Sequence, residues 1–246
     1  MRLLTLFLLS FASNIVVAQK DAEPSFMLNI TYAAHLMGGD IQEDFSPMLN
    51  VGLGLQYITK KRWIFGLEGN VMFGGNLKQD VLANMRTAEG EIVNGDQTFA
   101  IVFLEGRGFY IGALGGKVFP VTEKYPNSGI RISTSIGMLQ HKIRIEDRTG
   151  GLPQLSGDYL KGYDRLTYGL AFTEFIGYQH VSKNNLLKVM AGFELTQGFT
   201  KNRRSWDFAT AQRLDQARLD LLNGFRIGWI LTFGGGGGYD ADDIFY

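Results

Sequence analysis

The stretch "LNVGLGLQYITKKRWIFGLEGNVMF", Leu49 to Phe73, decides the fold, because large apolar residues alternate with small or polar ones on both sides of a short basic interruption. Successive side chains of a β-strand leave opposite faces of the sheet, so a period of two predicts strands. The link Thr59–Arg62 is short enough to make the two strands a β-hairpin. A soluble sandwich would bury the apolar face. Glycine-rich polar faces with aromatic residues at the ends indicate instead that the apolar face meets lipid.

The composition supports a large all-β domain. The chain has 246 residues, and its 24 Lys and Arg balance its 24 Asp and Glu, which gives no electrostatic argument for a nucleic-acid partner. It contains 32 Gly, 5 Pro and 13% aromatic residues, a usage typical of barrels with many turns and close strand packing. There is no Cys, which excludes disulfides and thiolate metal sites.

The first residues predict export. Arg2 precedes an apolar run over residues 3–11, and Val16-Val17-Ala18 is a small-residue cleavage pattern, so residues 1–18 are predicted to be a secretory signal peptide. The apolar run is shorter than the ~20 residues of a transmembrane helix. We therefore expect a signal peptide over 1–18, a β-barrel over 19–233, and a flexible Gly-rich acidic periplasmic tail over 234–246.

Eight alternating runs can be counted along the chain. Each is as long as the ~9–11 residues that a tilted strand needs to cross a bilayer. Short links such as "TKKR", "FPVTEKYPNS" and "SKNN" alternate with longer ones, as in barrels with short periplasmic turns and long extracellular loops. The sequence therefore predicts an eight-stranded antiparallel up-and-down transmembrane β-barrel; a water-soluble eight-stranded barrel is the structural alternative. The runs cover about residues 26–37, 49–57, 63–73, 99–118, 129–143, 165–181, 186–199 and 219–233.

The last run supports an outer-membrane location. Its apolar residues alternate and end on an aromatic residue, which is similar to the C-terminal signal that the barrel assembly machinery pairs with as an edge strand. The residues of this predicted assembly signal are Phe225, Ile227, Trp229, Leu231 and Phe233.

Two later segments resemble a known group. "LSGDYLKGYDRLTYGLAFTEFIGY" (155–178) and "GFELTQGFTKNRRSWDF" (192–208) are similar to strands and loops of small, mostly uncharacterised outer-membrane barrel proteins of Bacteroidota. The likeness covers roughly residues 108–233, and the terminal "FY" also resembles that group. It implies an outer-membrane β-barrel and brings no enzyme activity. The Gly234–Gly238 run departs from the pattern.

Charged residues at inward-facing positions predict an ion network inside the barrel, because an eight-stranded barrel is filled by its own side chains and buried charges must be paired. Glu174 is an exception, since it falls on the predicted outer face of the sixth run. A charge there is costly, so either a β-bulge turns it inward or the register differs. The predicted network consists of Glu68, Glu105, Arg107, Arg131, Glu194 and Arg226.

The long links are expected to be external loops. In one of them Arg203, Arg204 and Trp206 are candidate contacts for lipopolysaccharide phosphates or a partner protein. The expected partners are therefore outer-membrane lipid and lipopolysaccharide, the barrel assembly machinery during insertion, and an unidentified envelope protein.

No catalytic constellation stands out. The histidines His35, His141 and His180 lie on different runs, and there is no Ser-His-Asp order, metal-ligand spacing or phosphate loop. We therefore expect a non-enzymatic outer-membrane barrel without cofactor or metal, which presents its loops in a surface structural or interaction role. Two alternatives stay open: a lipid-modifying enzyme using His35 and His141 near the outer rim, and a narrow small-solute channel.

Overall fold

The computed structural model describes residues 22, 24–74, 76–122, 125–182 and 188–233. The predicted signal peptide and the predicted C-terminal tail lie outside the described residues. No helix among the described residues is long and apolar enough to cross a membrane.

The described chain is dominated by β-strands. One short helix, α1 (Ile41–Asp44), follows the first strand. Turns of 3₁₀ helix occur at Ala83–Met85, Pro153–Leu155 and Tyr159–Gly162. The strands are β1 (Ser25–Gly39), β2 (Met48–Ile58), β3 (Trp63–Gly74), β4 (Ile92–Val93), β5 (Phe99–Ala100), β6 (Val102–Pro120), β7 (Gly129–Asp147), β8 (Thr167–Val181), β9 (Lys188–Asn202) and β10 (Ala217–Phe233).

The long strands form a closed antiparallel barrel in the order β1-β10-β9-β8-β7-β6-β3-β2. Closure is made by β1, in which Phe26 lies opposite Phe233 of β10 on one side and Tyr57 of β2 on the other. The ring therefore leaves no unpaired strand edge. Each of the eight predicted runs coincides with a barrel strand, which confirms the predicted fold. β4 and β5 form a separate small hairpin between β3 and β6 that the sequence reading did not predict.

The two ends of the barrel differ. At one end, the turn end, the strands are joined by the short links 59–62, 121–128 and 182–187. At the other, the loop end, the links are 40–47, 75–101, 148–166 and 203–216. The predicted alternation of short and long connections is thus present, although the first loop-end link is itself short and holds α1.

The outer wall is apolar and exposed. Leu55 is 65% exposed and Phe193 66%, and every barrel strand contributes such side chains. Water would make a continuous apolar band of this kind unfavourable, whereas hydrocarbon solvates it. At the turn end Lys117 holds its ammonium 5.1 Å from the centre of the Trp63 ring. The residues of the predicted assembly signal, Phe225, Ile227, Trp229, Leu231 and Phe233, all lie exposed on the outer face of β10.

The interior is filled in layers. Towards the turn end lies an apolar cluster of Met27, Ile58, Ile64, Leu114, Val118, Met190 and Ile230. A second apolar cluster, which includes Met48, Met72, Leu139, Ile143 and Leu222, lies towards the loop end. It continues into loop residues such as Ile41, Phe45, Leu82 and Leu155, so the loops and the barrel share one core.

The predicted orientation of β6 was wrong. Glu105 and Arg107 were expected to face inward, but Tyr110 and Leu114 on the other face of β6 are buried in the barrel, which places Glu105 and Arg107 on the outer face. Glu105 and Arg107 are therefore not part of the interior network. The physical reason is space: a Cβ on Gly112 would lie 2.4 Å from the Tyr110 hydroxyl, so this glycine on the inward face of β6 leaves room for the tyrosine ring.

Candidate functional site

A cluster of ion pairs crosses the barrel interior. Arg226 of β10 places Nη1 3.0 Å from Glu68 Oε2 of β3, and its other terminal nitrogen contacts Glu194 of β9. The second oxygen of Glu194 lies 2.8 Å from His35 Nε2 on β1. All four side chains are at most 5% exposed. One guanidinium thus neutralises two carboxylates that would be costly to bury alone.

Hydrogen bonds extend this cluster around the barrel. Ser135 Oγ donates to Glu68 Oε1 over 2.5 Å, and the Tyr110 hydroxyl lies 2.7 Å from Ser135 Oγ. Arg131 is also inside but separate: it donates to Gln56 Oε1 over 2.7 Å and to Gln179 Oε1 over 3.1 Å. No described carboxylate pairs with Arg131; amide oxygens accept from its two terminal nitrogens, while its buried Nε has no hydrogen-bond partner.

The structure therefore places four of the six predicted network residues in the interior: Glu68, Arg131, Glu194 and Arg226. Glu105 and Arg107 pair with each other on the outer face, 2.6 Å apart, where both remain partly exposed. The polar partners of these charges were not predicted, although all of them except Tyr110 fall at positions that the predicted alternation places inward. The omitted partners are His35, Gln56, Tyr110, Ser135 and Gln179.

A second charged cluster ties the loops together above the barrel mouth. Arg165 donates from Nη1 to Asp44 Oδ1 over 2.7 Å and to Gln79 Oε1 over 3.1 Å, and from Nε to Asp207 Oδ2 over 2.8 Å. These partners lie in the loop-end links 40–47, 75–101 and 203–216, while Arg165 itself belongs to 148–166. One buried guanidinium therefore joins all the loop-end links. We refer to the described residues of these links as the cap.

The cap is also joined to the barrel. Arg218 of β10 lies 2.9 Å from Asp44 Oδ2 and 3.4 Å from Asp220 Oδ1. Asp220 in turn lies 2.8 Å from His141 Nε2 and accepts a 2.5 Å hydrogen bond from Thr200. The cap and the upper barrel wall thus form one continuous network of charges and hydrogen bonds.

Apolar contacts close the cap beside this network. The rings of Tyr163 and Phe208 meet edge to face with centres 5.4 Å apart. A Cβ on Gly162 would lie only 2.1 Å from the Phe208 ring, so the ring packs directly on the backbone at that glycine. Phe208 N–H donates to Gly162 O over 2.9 Å. Burial raises the pKa of Tyr163, so its phenol stays neutral in the cap.

The three predicted loop contacts differ in availability. Arg204 donates from Nε to Asp164 Oδ1 over 2.7 Å, and this hydrogen bond raises the pKa of Arg204. The Arg204 guanidinium is therefore engaged within the cap. Arg203 lies over the ring of Tyr168 at 4.2 Å and remains on the surface, and Trp206 is 44% exposed.

The cap also exposes an apolar edge. Val93 and Phe99 of the β4–β5 hairpin, followed by Ile101, are all exposed, with Phe99 at 65%. Phe103 continues this edge onto β6, where Arg148 lies 4.4 Å from its ring centre. We refer to Val93, Phe99, Ile101 and Phe103 as the hairpin edge. A group of neighbouring exposed apolar side chains of this kind often marks a site of interaction with another protein.

Comparisons with known proteins give structural likenesses only. No family model matches the chain, and no curated protein matches it. The crystal structure of Ail, the attachment invasion locus protein of Yersinia pestis, is 11% identical with a TM-score of 0.43 and covers 85% of this chain and 100% of that one. The outer membrane protein OprG from Pseudomonas aeruginosa is 8% identical with a TM-score of 0.37, and covers 87% of this chain and 99% of that one. The fold rests on the strand pairing described above.

Proposed function

We propose that the chain is a non-enzymatic outer-membrane β-barrel that presents a rigid external cap for interaction with a partner at the cell surface. The exposed apolar wall supports a position in the membrane, because hydrocarbon is the solvent that such a wall requires. The long links then lie outside and the short turns face the periplasm. The predicted signal peptide fits this route of export.

The observation that carries the proposal is the convergence of the loops on Arg165. A long loop that is free in solution must be ordered when it binds, and the lost entropy weakens binding. Here Asp44, Gln79 and Asp207 hold their loops to one guanidinium before any partner arrives. A pre-organised surface of this kind is suited to recognition.

The hairpin edge is the surface that fits a protein partner. Its exposed Phe99, Ile101 and Phe103 combine aromatic and aliphatic area with the neighbouring cation of Arg148. Aromatic residues and arginine are enriched where proteins bind each other. The partner we propose is therefore an envelope or surface protein that covers this edge.

Lipopolysaccharide is the lipid partner that we propose. Outward-facing cations occur where the wall meets the cap: Lys142 on β7, Lys201 at the end of β9 and Arg203 just after it, whereas Arg107 and Arg144 are already paired with Glu105 and Glu146. This is the height at which phosphate groups of the outer leaflet would lie. Arg203 with Trp206 would contribute there, whereas the guanidinium of Arg204 already binds Asp164.

The interior layers do not favour a channel. Apolar side chains pack on both sides of the ion network, so an ion would have to pass two filled layers of the interior. The alternative of a lipid-modifying enzyme is also less favoured, because His35 and His141 are buried and each points Nε2 at a buried carboxylate. Conductance steps in planar bilayers, or a lipid A mass profile that changes with His141→Ala, would revive these alternatives.

The experiment has two parts. Heat-modifiable gel migration of the chain in an isolated outer-membrane fraction tests the location. Affinity purification from that fraction tests the partner: we expect a co-purified protein that is lost with a Phe99→Ser, Ile101→Ser double variant. Tyr159→Ser is the matched control, since Tyr159 is equally exposed at 66% but lies in another loop. Recovery of a lone barrel, or equal loss with the control, would refute the partner assignment.

A further inference from the structure

We propose that the barrel self-associates within the membrane through a polar patch on its outer wall, formed by Thr134, Glu174 and Gln197. This inference rests on the proposed membrane location. The three residues lie on the neighbouring strands β7, β8 and β9, and all of them are exposed on the outer face. We refer to them as the wall patch.

The pairing of β8 fixes Glu174 on the outside. Thr134 lies directly opposite Glu174 on β7, and Leu195 lies opposite it on β9. The pairing of β8 continues without interruption on both sides of this position, so no bulge turns the side chain inward. The register predicted from the sequence is therefore right here, and the charged group does face the membrane.

Glu174 lies deep in the apolar band. On the outer face of β8 it stands between Tyr178 near the turn end and Tyr168 near the loop end. At a rise of roughly 3.3 Å per residue and a tilt of about 40°, these rings lie about 10 Å below and about 15 Å above it. Together these distances match the ~25 Å apolar band of an outer-membrane barrel. The carboxyl group is thus far from both polar interfaces.

The opposite wall shows which residues occupy lipid-facing positions at the same depth. On β2 and β3 the corresponding positions, equally far from Tyr57 and Trp63, are Leu53 and Leu67. Their exposed fractions are 57% and 62%. Both of these lipid-facing positions at this depth on the opposite wall are therefore leucine. The wall patch replaces leucine with a carboxyl, a hydroxyl and an amide.

The patch has no partner within the described chain. No hydrogen bond or ion pair joins Glu174, Thr134 or Gln197 to any described side chain, and lipid tails offer none. The direct neighbour of Gln197 on β8 is Phe172, so Gln197 lies diagonally from Glu174 on the side of the loop end. The patch therefore presents acceptors and donors within side-chain reach of each other.

A second copy of the chain is the partner that this chemistry fits. Two barrels related by a two-fold axis along the membrane normal bring the same heights together, so a patch that holds both donors and acceptors complements itself. The hydroxyl and amide of one copy then donate to the Glu174 carboxyl of the other. Gly115 is the neighbour of Thr134 on β6, and a Cβ there would meet no atom within 4 Å. Without a side chain at this position, a second barrel can approach this part of the wall closely.

Cysteine crosslinking in native outer membranes tests the inference, because the chain has no cysteine of its own. Ile176→Cys places a thiol on β8 next to Glu174 without changing the patch, and Leu53→Cys is the matched control on the opposite wall. Membranes are treated with a short bis-maleimide and the product masses are measured. We expect a product of twice the chain mass for Ile176→Cys and none for Leu53→Cys.

Adding Glu174→Leu to Ile176→Cys is expected to lower the crosslinked fraction severalfold, since each polar contact in a membrane interface contributes roughly a three- to tenfold change in association. Glu174→Gln, which keeps hydrogen bonding, is expected to retain most of it. Equal crosslinking on both walls, no effect of Glu174→Leu, or a product mass that shows a different protein would overturn self-association. If the chain is not found in the outer membrane, the proposed function is refuted as well. Heat-modifiable gel migration of each variant is the folding control, and unchanged migration excludes misfolding.

Discussion

Arg226 Nη1 lies 3.0 Å from Glu68 Oε2, and these two residues come from β10 and β3, which are not neighbours in the ring. The ion pair therefore spans the barrel interior and does not merely follow the sheet. Because the same guanidinium also contacts Glu194, removing it leaves two buried carboxylates without their cation.

Arg226→Met is expected to lower the free energy of unfolding by about 3–5 kcal/mol, because uncompensated buried charge is strongly destabilising. Glu105→Gln is the control, since its pair with Arg107 is partly exposed on the outer face and is worth at most ~1 kcal/mol. Urea unfolding of the refolded barrel in detergent micelles, followed by tryptophan fluorescence, measures both. Equal losses in the two variants would show that the interior pairs are not held in a low-dielectric core.

Arg165→Ala is expected to loosen the cap while leaving the barrel folded. Without its guanidinium, Asp44 and Asp207 lose a shared buried partner and three loops lose their common anchor. Tryptic cleavage of the cap on intact cells should become at least about tenfold faster, which corresponds to about 1.4 kcal/mol of lost protection. Arg213→Ala, an exposed change in the same loop as Asp207, should cleave no faster than the wild type. Unchanged proteolysis of Arg165→Ala would contradict the pre-organised cap.

The strands were predictable because alternation is a local property. Leu49, Leu53 and Trp63 reveal their outward face from their immediate neighbours. β6 was misread because its polar outer positions Glu105 and Arg107 lie towards the loop end, where a charge on the outer face is not penalised as it is in hydrocarbon. In this part of β6 the inward face follows from the pairing with β7 and not from the alternation of polar and apolar residues.

The cap network could not be derived in the same way. Asp44, Gln79, Arg165 and Asp207 are far apart in the sequence and lie in links without periodicity, so nothing local relates them. Their convergence follows from closure of the ring, which brings all the loop-end links to one mouth. The residues are ordinary charges in the sequence and become a site only through topology.

Tyr163 is expected to titrate above its ordinary pKa of 10.0, because burial raises its pKa. A pKa that is higher in the folded cap means that this tyrosine favours the closed cap at pH values below 10. The contribution is lost as pH rises through the raised pKa. Carbon-13 NMR of tyrosine-labelled protein in micelles measures the midpoint, and Tyr163→Phe assigns the resonance. A midpoint at or below 10 would contradict the burial of this phenol.

Gly137→Ala is expected to destabilise the barrel, because the backbones of β6 and β7 approach closely at this position. A Cβ on Gly137 would lie 2.0 Å from Ile111 O and 2.5 Å from Gly112 Cα, and neither backbone atom can move away without disturbing the ladder. Overpacking of this kind costs about 1–3 kcal/mol. Gly115→Ala on β6 is the matched control, since a Cβ at Gly115 would meet nothing within 4 Å. The same urea unfolding experiment compares them, and a Gly137→Ala variant as stable as Gly115→Ala would show that this strand contact is looser than the structure indicates.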